Sequence, residues 1–546
     1  MTLRDLSRVF AVYAFVLLLI CWAFTSYLSV GRAGSAKLSV VSVWQGASRR
    51  ARVVVQEQPE RALAEAAAEP GATRVVEEVV DDSPVLSLAP FLFGMSFVAA
   101  RDGVQASVDG KSAYATPDDL IKLGAYNSSL SFGDFKLKFG VDSAKVFLFL
   151  AHELGVSEAT LLERARFRRV AMRRRLPTAT LPKVEITPDT LRASAVGAGR
   201  YLARAVGSDG KFRYEIDGAT GEDSEDYNLP RHAGATWYLA EVAAFSGDRQ
   251  MKAAARRAAR YLRERHLVDC GARRCIASDV RADLGSSALA LLAFTKLVDS
   301  GVAPEFREAV AELADFLRSQ QRADGEFQHL YDRAEKHPID VQLLYYTGEA
   351  AFALSRAQHV TNDIHDLTAA KRALARLVEP PFWYIGWRYY WGAEHWTCHA
   401  LADLWDRAPN QKALEFCLDW QEFVRNTAVY GREPSPEYDG ASTSGPFVPP
   451  QLVVSSCRLE AGVATLSAAR RAKLAPRELE RLEFGVRGMI SFLLRSQFLP
   501  GPTHLMPDPD AMFGGFPASE TDFHVRIDFP QHAAIGILDY LELSAH

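Results

Sequence analysis

Two neighbouring stretches decide the fold, and they read MKAAARRAARYLRERH at 251–266 and GSSALALLAFTKLV at 285–298. Apolar residues in the first stretch recur at helical spacing and leave a charged opposite face, whereas the second stretch carries almost no charge. A helix with one polar face belongs at a surface, and a helix that is apolar all round belongs inside. The two stretches therefore predict an outer helix followed by an inner helix.

The same alternation continues over residues 188–546. The inner helices are predicted to begin near six positions, which are Arg231, Gly285, Asp340, Glu394, Ser455 and Gln531. Successive starts are separated by 54, 55, 54, 61 and 76 residues. A period near 55 fits one long helical pair with its loops. Six pairs predict a mainly α protein built on a closed (α/α)6 toroid.

The turns between the paired helices carry a further pattern. RYLARAVGSDGKFRYEI at 200–216 and DFLRSQQRADGEFQHLY at 315–331 each end an outer helix in an Asp-Gly turn before an aromatic residue. This pattern resembles the repeat of the terpenoid-cyclase and prenyltransferase toroids. The predicted ring also resembles polysaccharide lyases, uronyl epimerases and glycoside hydrolases. The resemblance implies the architecture, and the reaction has to be argued from the site residues.

The N-terminus predicts a membrane anchor within residues 1–30. Residues 9–30 read VFAVYAFVLLLICWAFTSYLSV, which is uncharged and long enough to cross a bilayer as a helix. Arg4 and Arg8 precede it and favour a cytoplasmic N-terminus. We expect a single-pass protein whose globular part lies outside the cytosol, periplasmic or extracellular. A cleaved signal peptide is the alternative, with Gly-Arg-Ala at 31–33 as its cleavage site.

Two segments precede the ring. Residues 31–85 have little aromatic content and are predicted to be a flexible linker. Residues 86–175 are predicted to form a small α+β module, with a hairpin around Asp109-Gly110 and a helix that begins at Pro117. Residues 144–175 are expected to continue as helix into RARFRRVAMRRR. Those arginines form either a solvated helix face or a surface for anionic lipid or glycan.

Cysteines and overall charge narrow the compartment and the partners. Cys270 and Cys275 frame a short loop and predict a disulfide outside the cytosol, with half of a metal clip as the alternative. Cys398, Cys417 and Cys457 are expected to be small buried residues. The net charge of −4 gives no case for nucleic acid as a partner.

The predicted ring gathers polar side chains at one mouth, because parallel inner helices begin on the same side. The predicted catalytic residues are Tyr227, His232, Asp340, Glu394, His395 and His532. The predicted substrate-binding residues are Asn228, Arg231, Asp283, Arg388, Tyr390, Trp391, Arg458, Arg526, Asp528 and Gln531. Each also has a structural interpretation, since acids at helix starts act as caps and a lone histidine is commonly part of a core.

This set of side chains suits an anionic sugar. A uronic acid needs its carboxylate neutralised before a proton leaves the adjacent carbon, and arginine, histidine and asparagine do so in toroidal lyases and epimerases. A tyrosine or histidine then serves as acid or base. Aromatic residues near 387–391 would stack on sugar rings. We therefore predict a membrane-anchored, carbohydrate-active enzyme that acts on a cell-envelope polysaccharide as a lyase or epimerase.

Three alternatives remain open at this point. A hydrolase needs two carboxylates, for which Asp340 and Glu394 are the predicted pair. A binding protein would hold a glycan or peptide without chemistry. A zinc-dependent transferase or cyclase would need Cys457 with Asp340 or His532 as ligands, and the Asp-rich motif of the squalene-type cyclases is absent. The prediction is that no cofactor is required, with zinc as the exception.

Overall fold

The structure is a computed structural model that describes residues 38–545 apart from 56–58, 73, 86–87, 98–101, 127–139, 176–183, 380–394, 432–437, 444–449 and 499–504. The chain divides into two compact units, Met1–Ala179 and Thr180–His546. This division falls in the predicted gap between the module and the ring. The predicted anchor at 9–30 lies outside the described residues.

The first unit is an antiparallel sheet with helices. Its elements are β1 (Leu38–Gln45), β2 (Ser48–Val55), α1 (Pro59–Ala67), β3 (Arg74–Pro84), α2 (Pro90–Met95), β4 (Asp102–Val108), β5 (Lys111–Ala115), α3 (Pro117–Lys122), α4 (Ser143–Leu154), α5 (Glu158–Arg164) and β6 (Arg166–Arg175). The strand order is β2-β1-β3-β6-β4-β5. The predicted hairpin around Asp109-Gly110 and the helix at Pro117 are confirmed.

The prediction of a flexible linker over 31–85 is wrong where the structure describes it, because three of the six strands lie there. Strand β1 pairs with β2 on one side and β3 on the other. Its residues Val40, Val41, Val43 and Trp44 are buried. The partners of β1 are non-local, so a search for local core patterns missed them. The module therefore includes the described residues from 38 onward.

The predicted helix over 144–175 is also corrected, because its arginine-rich end is strand β6. This strand pairs with the acidic strand β3, in a register that places Glu77 opposite Arg175 and Glu78 opposite Arg174. Within the same sheet, Arg169 is buried and its Nη1 lies 3.7 Å from Asp102 Oδ2. The arginines therefore belong to a sheet and not to a helix face.

The second unit consists of six helical pairs. Its outer helices are α6 (Pro188–Ala205), α8 (Arg249–Arg265), α10 (Arg307–Gln320), α12 (Ile364–Leu377), α14 (Gln411–Thr427) and α16 (Pro476–Ser496). Its inner helices are α7 (Leu229–Ser246), α9 (Leu284–Asp299), α11 (Tyr346–Thr361), α13 (His395–Leu404), α15 (Leu452–Arg471) and α18 (Asp528–Ser544), and a short helix α17 (Pro509–Met512) precedes the last of them. Short hairpins and loops join the pairs, including β7 (Glu215–Asp217), β8 (Leu267–Cys270), β9 (Arg273–Ile276), β10 (Arg281–Asp283), β11 (Leu330–Asp332), β12 (His337–Ile339) and β13 (His524–Arg526).

The inner helices close into a ring, as the sequence predicts. Each packs on the next in the order α7, α9, α11, α13, α15 and α18, and α18 packs back on α7. The inner helices run parallel, since ion pairs join corresponding levels of neighbours, as between Glu241 of α7 and Lys296 of α9. One predicted start is wrong, because α11 begins at Tyr346 and not near Asp340. The β11–β12 hairpin and an extended loop occupy the residues before it.

Two disulfides stabilise the ring. The predicted Cys270–Cys275 bond is confirmed and closes the β8–β9 hairpin. A second bond joins Cys398 of inner helix α13 to Cys417 of outer helix α14, with their Cα atoms 5.9 Å apart. The expectation that Cys398 and Cys417 are buried is confirmed. Their disulfide was not predicted, because the pairing spans two helices and no local motif marks it.

One helix within the described residues has the length and apolar character of a membrane span. It is α15, and 78% of its most apolar window is buried inside the protein. Its position as an inner helix of the ring explains that composition.

Candidate functional site at the mouth of the ring

The start of α7 separates two residues that the sequence placed together. Asn228 caps the helix and accepts a hydrogen bond from the Arg231 backbone N–H at 3.1 Å. Arg231 then points to the mouth of the ring, whereas His232 points outward to helix α8. Successive side chains on a helix differ in direction by about 100°. That rotation moves His232 out of the cavity.

His232 is a core residue with both ring nitrogens in use. Its Nε2 donates to the carbonyl oxygen of Ala258 at 3.0 Å, and its Nδ1 lies 2.6 Å from the Tyr227 hydroxyl. The Tyr227 hydroxyl in turn accepts from the Phe212 backbone N–H at 3.1 Å. Burial lowers the pKa of His232 to about 3, so it is neutral at physiological pH. The prediction that His232 and Tyr227 face the ring mouth is therefore wrong.

Arg231, Arg526 and Asp528 form an ion cluster at one side of the mouth. Arg526 donates two hydrogen bonds to the Asp528 carboxylate, from its Nε at 2.6 Å and from its Nη2 at 2.9 Å. Arg231 Nε lies 3.2 Å from the same carboxylate, and Arg231 Nη1 donates to the Tyr214 hydroxyl at 2.8 Å. Burial raises the pKa of Asp528, but the two arginines outweigh it and hold that pKa low. The trio keeps one net positive charge, and Arg231 is 38% exposed.

The starts of α9 and α11 bring two carboxyl groups and a tyrosine together. Asp283 caps α9 and accepts from the Ser286 backbone N–H at 2.6 Å. The Tyr346 side chain forms a hydrogen bond with Asp283. Glu349 lies beside both, and its Oε2 would be 2.5 Å from a Cβ placed on Gly285. The glycine therefore leaves the space that this carboxyl group occupies.

Glu349 has the properties of a proton-transfer group. It is 5% exposed, and its Oε2 makes no hydrogen bond with any residue that the structure describes. Burial first, and then the nearby Asp283 carboxylate, raise the pKa of Glu349 to about 8, against an opposing effect of His532. The carboxyl group is therefore largely protonated at neutral pH. A group with a pKa near the working pH can both donate and accept a proton.

A second cluster lies across the ring from Glu349. His395 begins α13, Cys457 and Glu460 lie one turn apart on α15, and His532 lies in the second turn of α18. Their ligand-type atoms all lie within 4.8 Å of one another. Glu460 Oε1 is 2.7 Å from His532 Nδ1. Helices α11 and α18 are opposite members of the ring, so Glu349 and His532 face each other over the central axis.

Charges in this second cluster are coupled. Burial alone would raise the pKa of Glu460, but His532 and His399 lower it to about 2. Burial alone would lower the pKa of His532, but Cys457 and Glu460 raise it well above its ordinary value. The His399 Nε2 lies 3.0 Å from Glu460 Oε2 and fixes the far side of the carboxylate. The cluster therefore holds a protonated His532 paired with the Glu460 carboxylate, and this ion pair lies opposite a neutral acid.

Aromatic side chains close the ring beneath these two clusters. The rings of Trp237 and Trp396 are 5.9 Å apart, although they belong to opposite inner helices. Phe352 of α11 packs on Trp237 with ring centroids 5.8 Å apart. These helices are not neighbours in the ring, so their side chains meet only at the central axis of the ring. The site is thus a cup with an aromatic floor, and one turn deeper Glu241 pairs with Lys296 and Arg356.

Several remaining predictions are resolved by position. Gln531 is buried at the mouth, where its Nε2 lies 3.2 Å from His532 Nδ1. Asp340 lies on a loop with its side chain 84% exposed, so it joins neither cluster. Arg458 points between α15 and α14, where it donates to the Thr443 carbonyl at 2.8 Å and covers the Trp420 ring. The predicted placement of Asp340 and Arg458 in the cavity is wrong. Four more predicted residues lie outside the described part of the chain, namely Arg388, Tyr390, Trp391 and Glu394.

Sequence reasoning missed two acids of the inner helices, Glu349 in the first turn of α11 and Glu460 in the middle of α15. Glu349 and Glu460 each interrupt a helix that is otherwise apolar within, in TGEAAFAL and RLEAGVATL. Glutamate is almost never fully buried unless it is paired or functional. An acid inside an apolar helix was therefore the available signal. The start of α11 is predicted near Asp340, which places Glu349 well inside the helix, and Glu460 lies two turns inside α15, so a criterion based on predicted helix starts includes neither.

Comparison with solved structures supports the fold. A cellobiose 2-epimerase from Bacillus thermoamylovorans B4167 has a TM-score of 0.51 and 12% sequence identity, over 65% of this chain and 99% of its own. A sugar epimerase from a ruminal bacterium has a TM-score of 0.51 and 11% identity, over 65% of this chain and 98% of its own. No protein-family model and no curated protein matches the sequence. The chain therefore has the α/α toroid fold predicted from its helical repeat.

Proposed function

We propose that this chain is a carbohydrate-active enzyme whose chemistry is proton transfer at the mouth of the ring. The observation that carries the proposal is the Glu349 carboxyl group. It is buried, one of its oxygens accepts no hydrogen bond from the residues that the structure describes, and its pKa is about 8. A positive group faces it across the axis at His532. Two of the solved structures with this fold are epimerases of sugars, which supports a sugar as the substrate.

The proposed reaction is lyase or epimerase chemistry on a glycan. Glu349 in its ionised form accepts the proton that leaves the substrate carbon, and the carboxylic acid so formed returns a proton to the carbon or to the leaving oxygen. Protonated His532 on the opposite side of the cup stabilises the negative charge that develops while the C–H bond breaks. Trp237 and Trp396 lie beneath these groups, with their ring planes tilted by 45° to each other, and would contact the apolar side of a sugar ring. The hydrolase alternative has lost its predicted pair, since Asp340 is exposed on a loop.

Turnover on a panel of oligosaccharides tests this proposal. Neutral and uronate-containing substrates are incubated with the full chain in deuterated water. A lyase produces an unsaturated product that absorbs in the ultraviolet, an epimerase produces a new stereoisomer that carries deuterium, and a hydrolase produces new reducing ends. We expect one of the first two results. Saturable binding without any product would contradict the enzyme proposal and leave a glycan-binding ring.

The finer part of the proposal is a uronate substrate. Arg231 supports it, because this arginine is 38% exposed and belongs to a cluster with a net positive charge. Arg231→Lys keeps the charge but loses the planar fork that pairs with a carboxylate. We expect KM for uronate-containing substrates to rise by about tenfold, since one charge-assisted hydrogen bond is worth roughly 1.5–3 kcal/mol. KM for neutral substrates should stay within about twofold, and an equal rise for both would contradict uronate recognition.

We also propose that the enzyme acts at the cell envelope as a single-pass membrane protein. The uncharged run at 9–30 supports the anchor. The Cys270–Cys275 and Cys398–Cys417 disulfides support an oxidising compartment, where such bonds persist. A reporter fused to the C-terminus should be active only outside the cytosol. Cytosolic activity of that fusion would contradict this location.

A further inference from the structure

We propose that His395, Cys457, Glu460 and His532 bind one zinc ion at the mouth of the ring. The inference goes beyond the proposed function. In the zinc-bound chain His395 and His532 are neutral ligands, so the ion takes the place of the protonated imidazole opposite Glu349. Its first support is convergence. The four side chains come from three consecutive inner helices, and their ligand-type atoms all lie within 4.8 Å of one another.

The spacing fits a tetrahedral ion after small movements of the side chains. Zinc bonds of about 2.0–2.3 Å place tetrahedral ligand atoms roughly 3.3–3.8 Å apart. Cys457 and Glu460 are three residues apart on α15, which puts both on one face of that helix. Helices α13 and α18 flank α15 and supply one histidine each. The packing of these three helices therefore places all four ligand side chains around one point.

The second support is the state of Cys457. Four of the five cysteines that the structure describes form disulfides, and Cys457 is the remaining one. It lies beside two imidazoles and a carboxylate. A serine or alanine would fill the same space without a reactive sulfur. The presence of a thiol where these side chains converge is explained if the sulfur is a ligand.

Ligand chemistry selects zinc over harder cations. Sulfur and imidazole nitrogen are preferred by zinc, whereas magnesium and calcium prefer all-oxygen sites. A thiolate and a carboxylate supply two negative charges, which neutralise a divalent cation together with two neutral imidazoles. Burial of the ion is then not opposed by net charge.

A second layer of contacts orients the ligands, as at known metal centres. His399 Nε2 lies 3.0 Å from Glu460 Oε2, which leaves Glu460 Oε1 directed at the cluster. Gln531 Nε2 lies 3.2 Å from the His532 ring. The aromatic ring of Trp396 packs against His395 with centroids 4.6 Å apart. These contacts restrict the rotation of three of the four ligands.

Metal content and cobalt spectra of the full chain test the site. We expect about one equivalent of zinc in protein purified without chelators. Metal-free protein loaded with cobalt should show the near-ultraviolet charge-transfer band of a thiolate–cobalt bond. Cys457→Ser should abolish that band and weaken zinc binding by 100-fold or more. His337→Ala, which changes an exposed histidine on β12, serves as the matched control and should leave both unchanged.

Thiol labelling provides a readout that leaves all four proposed ligands unchanged. In a Cys21→Ser background, one equivalent of zinc should protect Cys457 from a thiol reagent, as measured by peptide mass mapping. Protein that binds no stoichiometric zinc, a cobalt band that survives Cys457→Ser, or equal labelling of Cys457 with and without zinc would each overturn the proposal. None of these measurements requires turnover, so failure of the proposed enzyme activity is detected separately.

Discussion

Glu349→Gln should lower turnover by about 100-fold or more, because glutamine fills the same space but carries no transferable proton. The loss should appear in kcat at every pH, since the variant has no titrating group at this position. Asp539→Asn is the matched control. Asp539 lies two turns beyond His532 on the same helix, and burial also raises its pKa, to about 7. Its replacement should leave turnover within about twofold, and an active Glu349→Gln would remove this residue from the mechanism.

The same substitution should change how stability depends on pH. The pKa of Glu349 rises from its ordinary value of 4.5 to about 8 in the folded chain, so between these pH values the folded state holds a proton that the unfolded state has released. The free energy of unfolding therefore falls as pH rises through this window, by about 1.4 kcal/mol per pKa unit. Glu349→Gln removes this dependence. We expect the variant to be more stable than the wild type at pH 8, by on the order of 4 kcal/mol.

Thermal unfolding of metal-free protein from pH 5 to pH 8.5 measures this effect. Three groups face Glu349 and contribute to its titration, namely Asp283 of α9, Tyr346 of its own helix and His532 across the axis. A cation bound on the opposite side would lower the pKa of Glu349, so the metal is removed first. Asp539→Asn should also flatten the profile, but at lower pH. Identical profiles for wild type and Glu349→Gln would contradict a protonated, buried carboxyl group.

The ring was predictable from sequence because the distribution of apolar and polar residues around a helix shows whether that helix is buried. GSSALALLAFTKLV has no polar face, so α9 had to lie inside. Asp283 marked the start of that helix and does cap it. In contrast, β1 depends on partners that lie far away in sequence, and strand pairing of this kind leaves only a weak local signal. Strand β6 also pairs with strands that lie far away in sequence, which explains why its arginine-rich residues were predicted to be helical.

Side-chain direction limited the prediction of the site. Arg231 and His232 are adjacent in sequence, yet one reaches the Asp528 carboxylate at the mouth and the other reaches the Ala258 carbonyl on an outer helix. If the inward-facing side of a helix is assigned with an error of one residue, the inward and outward residues are exchanged. His532 was placed correctly at the mouth, but its partner Glu460 lies 72 residues away in sequence and only the folded ring brings the two together.

His232→Ala should destabilise the ring by about 3 kcal/mol near neutral pH. Removal of the imidazole leaves a cavity and takes a hydrogen-bond partner from each of two buried groups, the Tyr227 hydroxyl and the Ala258 carbonyl. Turnover per folded molecule should stay within about twofold, because His232 lies outside the cup. His337→Ala serves as the control, since that histidine is exposed and its loss should not change the melting temperature.

The destabilisation caused by His232→Ala should become smaller as the pH falls. This pH dependence distinguishes the loss of a buried imidazole from the loss of a buried side chain that does not titrate. Burial depresses the pKa of His232 from 6.5 to about 3, so between these values the unfolded chain binds a proton that the folded chain does not. The wild type therefore loses stability on acidification through this window, whereas His232→Ala has no imidazole to protonate and lacks that loss. Melting temperatures of the two proteins should differ by several degrees at pH 8 and converge near pH 4. A constant difference across this range would contradict the assignment of His232 as a buried, neutral core residue. A stable variant with sharply reduced turnover would indicate instead that His232 faces the mouth of the ring.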